Sequence, residues 1–147
     1  DCYRVYQTEH AGIGVLICYD QWFPEAARAV TLMGAEVIFY PTAIGRIRGG
    51  NEPPEGDWRA AWETVQRGHA IANGVHVAAV NRVGREGELE FWGSSFVSDA
   101  FGTVLAHASE TRDEVLLADL DLSWSRDAER IYGTREDAAR LRRRGGS

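Results

Sequence analysis

The sequence contains no lysine: all 16 of its positively charged side chains are arginine. That absence excludes any mechanism in which a lysine of this chain is a nucleophile, a Schiff base, a phosphate anchor or an oxyanion clamp. Positive charge is also in deficit, with 22 acidic residues and a net charge of −6. A general nucleic-acid binder carries a basic surface or stripe instead. The basic cluster is C-terminal, where residues 135–147 hold five Arg against two acids. It reads as a solvated or frayed end. No apolar run approaches the ~18–20 residues that span a bilayer. No basic region followed by an apolar core marks the N-terminus, so no signal peptide is visible. The two cysteines, Cys2 and Cys18, do not form a disulfide framework or a zinc pattern. His10, His69, His76 and His107 show no metal-ligand spacing, and a cytosolic location is the default expectation.

At 147 residues and 44% hydrophobic, the composition fits one globular unit. Val5-Tyr6 and Ile13 to Cys18 read as a strand pair, the second continuous in apolar residues as if buried on both faces. Pro24 opens a helix, at a position where its missing N–H is not needed, and Gly34 closes it. Glu36 to Tyr40 is a buried strand ended by Pro41. Residues 45–57, rich in Gly and Pro, form a long loop suited to a lid or pocket wall. Trp58 to Asn73 is a helix stopped by Gly74, and Val75 to Asn81 is a third buried strand. Glu88 to Trp92, Ser94 to Ser98, Thr103 to His107 and Val115 to Leu122 complete the strands. Buried strands alternating with helices predict an α/β fold. The later strands follow too closely for helical crossovers, so the sheet is expected to be mixed.

The chemistry concentrates at Cys18. A buried strand ends there, a short turn follows, and a helix begins at Pro24. The turn exposes the sulfur at the carboxyl edge of the sheet, and the helix N-terminus favours a thiolate. The backbone N–H of Tyr19 can face a developing oxyanion. On spacing alone, Cys18 as a small buried hydrophobe is the stronger alternative.

The run Cys18-Tyr19-Asp20-Gln21-Trp22-Phe23-Pro24-Glu25-Ala26-Ala27-Arg28 changes that balance. With Gly34-Ala35-Glu36, Tyr40-Pro41-Thr42-Ala43-Ile44-Gly45, Gln66-Arg67-Gly68-His69-Ala70, Asn73, Asn81-Arg82-Val83-Gly84 and Gly93-Ser94-Ser95-Phe96, it resembles the nitrilase (carbon–nitrogen hydrolase) superfamily. Within it, the run is most similar to the N-carbamoylputrescine amidase group. The resemblance is strongest over residues 5–122. It implies a four-layer α-β-β-α sandwich and a Glu-Lys-Cys triad, with no metal or cofactor and with homo-oligomers. By that resemblance Cys18 is the nucleophile and the Tyr19 N–H an oxyanion donor. The family's Glu and Lys precede the strand leading to Cys. Here 17 residues precede Cys18, none is Lys, and Glu9 falls in a hairpin turn. The chain, which begins at Asp1 and has Met33 as its sole Met, is therefore expected to be a C-terminal half, inactive alone.

Superfamily members acting on carbamoyl amino acids place an Arg soon after the Cys-x-Asp step. This chain has Gln21 and Trp22 there, which pair poorly with a carboxylate and suit a neutral or cationic substrate tail. Gln21, Trp22, Thr42 and Ala43 are the expected substrate-binding residues, with Glu52, Glu55 and Asp57 as candidate partners for an ammonium. The expected ligand is a small amide or carbamoyl compound, with neither nucleic acid nor membrane as partner. Two alternatives are a non-catalytic remnant of the same fold, or a hydrolase of another amide or ureido compound.

Overall fold

The computed structural model describes residues 3–49 and 56–126. β1 (Val5–Gln7) and β2 (Gly12–Val15) pair as an antiparallel hairpin. Its turn is closed by Thr8, whose hydroxyl takes the His10 and Ala11 N–H groups. α1 (Pro24–Leu32) starts on the proline and ends at Gly34, whose φ of 106° only glycine adopts readily. β3 (Val37–Thr42) follows, then the short β4 (Gly45–Ile47). α2 (Trp58–Asn73) is capped by Asp57, whose carboxylate accepts from the Arg59 and Ala60 N–H groups. Gly74 ends it in the left-handed conformation. Then come β5 (His76–Asn81), β6 (Val83–Glu86), β7 (Leu89–Trp92), β8 (Phe96–Ser98) and β9 (Val104–His107).

Six strands form one mixed sheet in the order β1-β2-β3-β5-β8-β9, with β2, β3 and β5 parallel and the flanking pairs antiparallel. A smaller antiparallel sheet has the order β4-β7-β6. Both helices lie against one face of the large sheet. Ala26, Ala27 and Val30 of α1 and Ala70 of α2 pack with Leu16, Ile38, Tyr40, Val75 and Val77. Gly14 makes the close approach possible, since a Cβ there would lie 3.1 Å from Val30. A second cluster joins Trp62 of α2 to Ala79 and Phe96, with Trp22, Ile44 and Trp92 at its margin. The fold class is α/β with a mixed sheet, as expected.

Four local expectations need correction. Among the described residues the Ile13 to Cys18 run is fully covered on one face and partly open on the other: Val15 and Ile17 are 41% and 65% exposed while Gly14 and Leu16 are buried. A continuous apolar run cannot reveal this, because both helices cover the same side. β3 continues through Pro41. Leu16 N–H donates to the Phe39 carbonyl, so Phe39, and Pro41 two residues on, direct their backbones toward β2. The β2 ladder ends at Val15 and Phe39, so no ladder bond is lost to the proline. Part of the expected 45–57 loop is β4, held against β7 so closely that a Cβ at Gly45 would meet the Glu90 carbonyl at 2.2 Å. Val115 to Leu122 is no strand: it pairs with no strand among the described residues, and Val115 and Leu117 are exposed. Among the described residues, no helix is long and apolar enough to cross a membrane. Cys2, Glu52, Glu55 and the Arg-rich tail lie outside them.

Candidate active site

The parallel strands β2, β3 and β5 end along one sheet edge, at Val15, Thr42 and Asn81 respectively. Ligands of open α/β sheets gather at such carboxyl ends. Two residues past β2, the chain turns into a 3-10 helix over Cys18–Trp22, and α1 begins just beyond it. Cys18 sits at the bend with φ of 51°. A non-glycine residue in the left-handed region costs roughly 1–2 kcal/mol, and such strain clusters at functional sites. The bend is held from both sides: Ile17 N–H donates to the Asp20 carboxylate at 2.9 Å, and Asp20 N–H returns to the Ile17 carbonyl at 3.2 Å. Asp20 is thereby committed to the turn.

The bend leaves Cys18 exposed with a free thiol. Its sulfur accepts from the Thr42 hydroxyl at 3.5 Å. The Tyr19 N–H precedes the first bond of the 3-10 turn and has no acceptor among the described residues, as the opening N–H groups of a helix generally do not. Sulfur and open amide therefore stand on adjacent residues of one turn. The Tyr19 ring is largely exposed and rests on Phe23.

The expected substrate-contacting residues fall in different places. Thr42 is beside the sulfur. Gln21 turns inward, 1% exposed, with its amide nitrogen donating to the Thr42 hydroxyl at 3.3 Å and its amide oxygen accepting from the Trp62 indole at 2.8 Å. Trp22 is half-buried and meets the Trp58 ring edge-on, centroids 5.8 Å apart. Ala43 is exposed in the link between β3 and β4 and offers only a methyl group.

Behind the turn lies a buried polar layer. His69 of α2 reaches the Gln21 carbonyl at 3.0 Å, and burial lowers its pKa against the opposing pull of that bond and of Glu25. A neutral ring donating through Nε2 fits that partner. Tyr40, buried on β3, has its phenol pushed well above the usual range, first by burial and then by the charge of Asp20. The ring nitrogens of His76 and His107 are engaged by Ser125 and the Ala108 carbonyl. None of these contacts pairs an imidazole with Cys18.

Asn81 serves the site as a brace. Its side-chain oxygen takes the Ile44 N–H, and its amide nitrogen donates to the Ile44 and Gly93 carbonyls, all within 3.0 Å. This pins the segment just after Thr42. A cavity of about 810 Å³ lies between the small sheet and the start of α2, lined by Ile44, Trp58, Arg59, Glu90, Phe91 and Trp92 among others; Cys18, Tyr19 and Thr42 do not line it. The carboxylates near it are spoken for: Asp57 caps α2, Arg59 holds Glu110, and Glu90 is held below its usual pKa by Arg85 and Arg46. Among the described residues, no cluster of His, Cys, Asp and Glu could hold a metal.

Trp62 and the inward use of Gln21 are what residue-by-residue reading missed. A helical Trp near a second cluster reads as core, and nothing local signals that its N–H faces a glutamine 41 residues away.

Comparison with known proteins places these features in company. The carbon-nitrogen hydrolase family model matches residues 1–130. The N-carbamoylputrescine amidase of Arabidopsis thaliana is 42% identical over 145 residues, 92% of this chain and 47% of that protein. The citrullinase of Francisella tularensis is 42% identical over 127 residues, 82% of this chain and 43% of that protein. The crystal structure of a carbon-nitrogen hydrolase from Helicobacter pylori superposes with a TM-score of 0.82 at 41% identity, covering 92% of this chain and 49% of that one. The chain thus spans about half the length of the relatives it matches.

Proposed function

The chain belongs to the carbon-nitrogen hydrolase family, and from that premise we propose that it carries the nucleophilic half of a hydrolase acting on a carbamoylated amine, with N-carbamoylputrescine the first choice. The observation that carries this reading is the strained bend that sets the Cys18 sulfur and the open Tyr19 N–H side by side. A nucleophile and an oxyanion donor must flank one carbonyl, and here one turn supplies both.

In the proposed reaction the Cys18 thiolate adds to the carbamoyl carbon, and the carbonyl oxygen takes up negative charge toward the Tyr19 N–H. Collapse expels ammonia and leaves the carbamoyl group on sulfur. Water then displaces the sulfur, and the released carbamic acid breaks down to the amine and carbon dioxide. A general base and a cation beside the oxyanion are needed as well. The chain has no Lys, and its own Asp20 is held by the Ile17 N–H. Both are proposed to come from polypeptide beyond these 147 residues.

The choice of tail rests on chemistry near the sulfur. No Arg follows Cys18 before Arg28, so a substrate carboxylate finds no bidentate partner on this turn. The citrullinase, also 42% identical but over 127 residues rather than 145, supports a second reading, a ureido amino acid. The natural polypeptide carrying this sequence is assayed for ammonia release from N-carbamoylputrescine and from citrulline. Cys18→Ala is expected to reduce release by about 10⁴-fold or more, whereas Cys2→Ala leaves it intact. Equal loss from both variants refutes the assignment of the nucleophile, and preference for citrulline refutes the first-choice substrate.

A further inference from the structure

The buried residues behind Cys18 form a directed chain of hydrogen bonds. The Trp62 indole donates to the Gln21 amide oxygen at 2.8 Å, the Gln21 amide nitrogen donates to the Thr42 hydroxyl at 3.3 Å, and that hydroxyl donates to the Cys18 sulfur at 3.5 Å. Trp62 is 0% exposed and Gln21 1%. An indole N–H donates and never accepts. The Gln21 amide is therefore fixed with its oxygen toward Trp62 and its NH₂ toward Thr42. A hydroxyl that accepts from this NH₂ has its single proton left to give, and the sulfur is where it goes.

We propose that Trp62 and Gln21 are positioning residues that act through Thr42, so that the direction of this relay keeps a hydrogen-bond donor aimed at the Cys18 sulfur. The inference rests on Cys18 being the reactive thiol. A donor at sulfur stabilises the thiolate over the thiol and orients its attack. α2 holds the relay still from behind the turn: His69 grips the Gln21 carbonyl, and Asn73 donates to the His69 carbonyl. The ionisable groups of the layer behind it are Tyr40 on β3, which feels the charge of Asp20 on the turn, and His69 on α2, which feels the charge of the exposed Glu25 on α1.

The test reads the thiol itself. In the natural polypeptide carrying Cys2→Ser, so that Cys18 is the thiol followed within this sequence, the rate of alkylation by iodoacetamide is measured from pH 5 to 10. Thr42→Val is expected to slow alkylation at pH 7 by about tenfold, the size of one lost hydrogen bond to a charged group. Its profile moves to higher pH and reaches the same plateau. Thr42→Ser retains the original profile. Trp62→Phe keeps the ring but not the donor and shifts the profile the same way by a smaller factor. An unmoved profile in Thr42→Val overturns the proposal, as does a Trp62→Phe protein that melts cooperatively with the original profile. Should Trp62→Phe not fold, the Thr42 pair decides alone. Because the readout is alkylation, the relay stands or falls separately from hydrolysis: expected profiles without ammonia release leave it intact and refute the functional reading.

Discussion

Replacing Cys18 by glycine is expected to give a more stable protein than replacing it by alanine. In ordinary helix or strand positions the order is the reverse, glycine being worse by roughly 0.5–1 kcal/mol through backbone entropy. At φ of 51°, a Cβ costs roughly 1–2 kcal/mol, and glycine avoids that cost. Both variants remove the sulfur, so the loss of the Thr42 contact is common to them and cancels. The difference left is the strain less the entropy, about 1 kcal/mol in favour of glycine. For a chain of this size that is a melting difference of roughly 2–4 °C. Urea and thermal unfolding of the two variants, made in the same polypeptide, read it directly. The Ile17 and Asp20 bonds must hold the bend in both, which crystals or amide exchange would verify. If alanine equals or exceeds glycine, the bend is not strained, and the case for a built nucleophile turn loses its main support.

Two further outcomes concern the frame around the site. Asn81→Ala removes three hydrogen bonds and leaves the Ile44 N–H and the Gly93 carbonyl without their partner; a loss of about 2–3 kcal/mol is expected in urea unfolding, and a loss below 0.5 kcal/mol would contradict the bracing role. Acid is the second. Burial holds the folded-state pKa of both His69 and His76 below the usual value, so the unfolded chain binds protons first. Stability is then full above the unfolded pKa of about 6.5 and falls as pH drops through that value toward the lower folded ones. Unfolding midpoints that stay flat from pH 7 to 5 would refute it.

Much of the frame was legible because it is locally encoded. Pro24 and Gly34 bracket α1, and Gly74 ends α2, each through backbone geometry that its residue type dictates. The Cys18 turn was legible for the same reason, as strand, polar turn and helix start in sequence. What stayed hidden depends on distant partners. β4 is three residues long and exists because β7 offers it a ladder 40-odd residues later. Val115 to Leu122 carries an apolar pattern but finds no strand to pair with among the described residues. Gln21 reads as facing ligand because it stands just after the Cys-x-Asp step, where superfamily members acting on carbamoyl amino acids place an Arg. Its inward turn depends on Trp62, and only packing reveals that.

β5 passes into β6 with Arg82 alone between them, and Arg82 N–H donates to the Thr42 carbonyl while its own carbonyl accepts from Gly93. The small sheet is thus hinged on the same few atoms that seat the hydroxyl beside the sulfur. At its far end Gly87 turns the β6–β7 hairpin with φ of 58°, and among the described residues a Cβ there would meet nothing within 4 Å, although the next residue, Glu88, still takes the Arg48 N–H on its carbonyl. Length is therefore negotiable at one end of this sheet and not at the other. Residues inserted at the Gly87 tip would be carried away from the reaction, whereas one inserted beside Arg82 would shift Thr42 off the sulfur. A protein engineer wishing to graft a peptide or a second domain here has a safe address, five residues along the chain from an unsafe one.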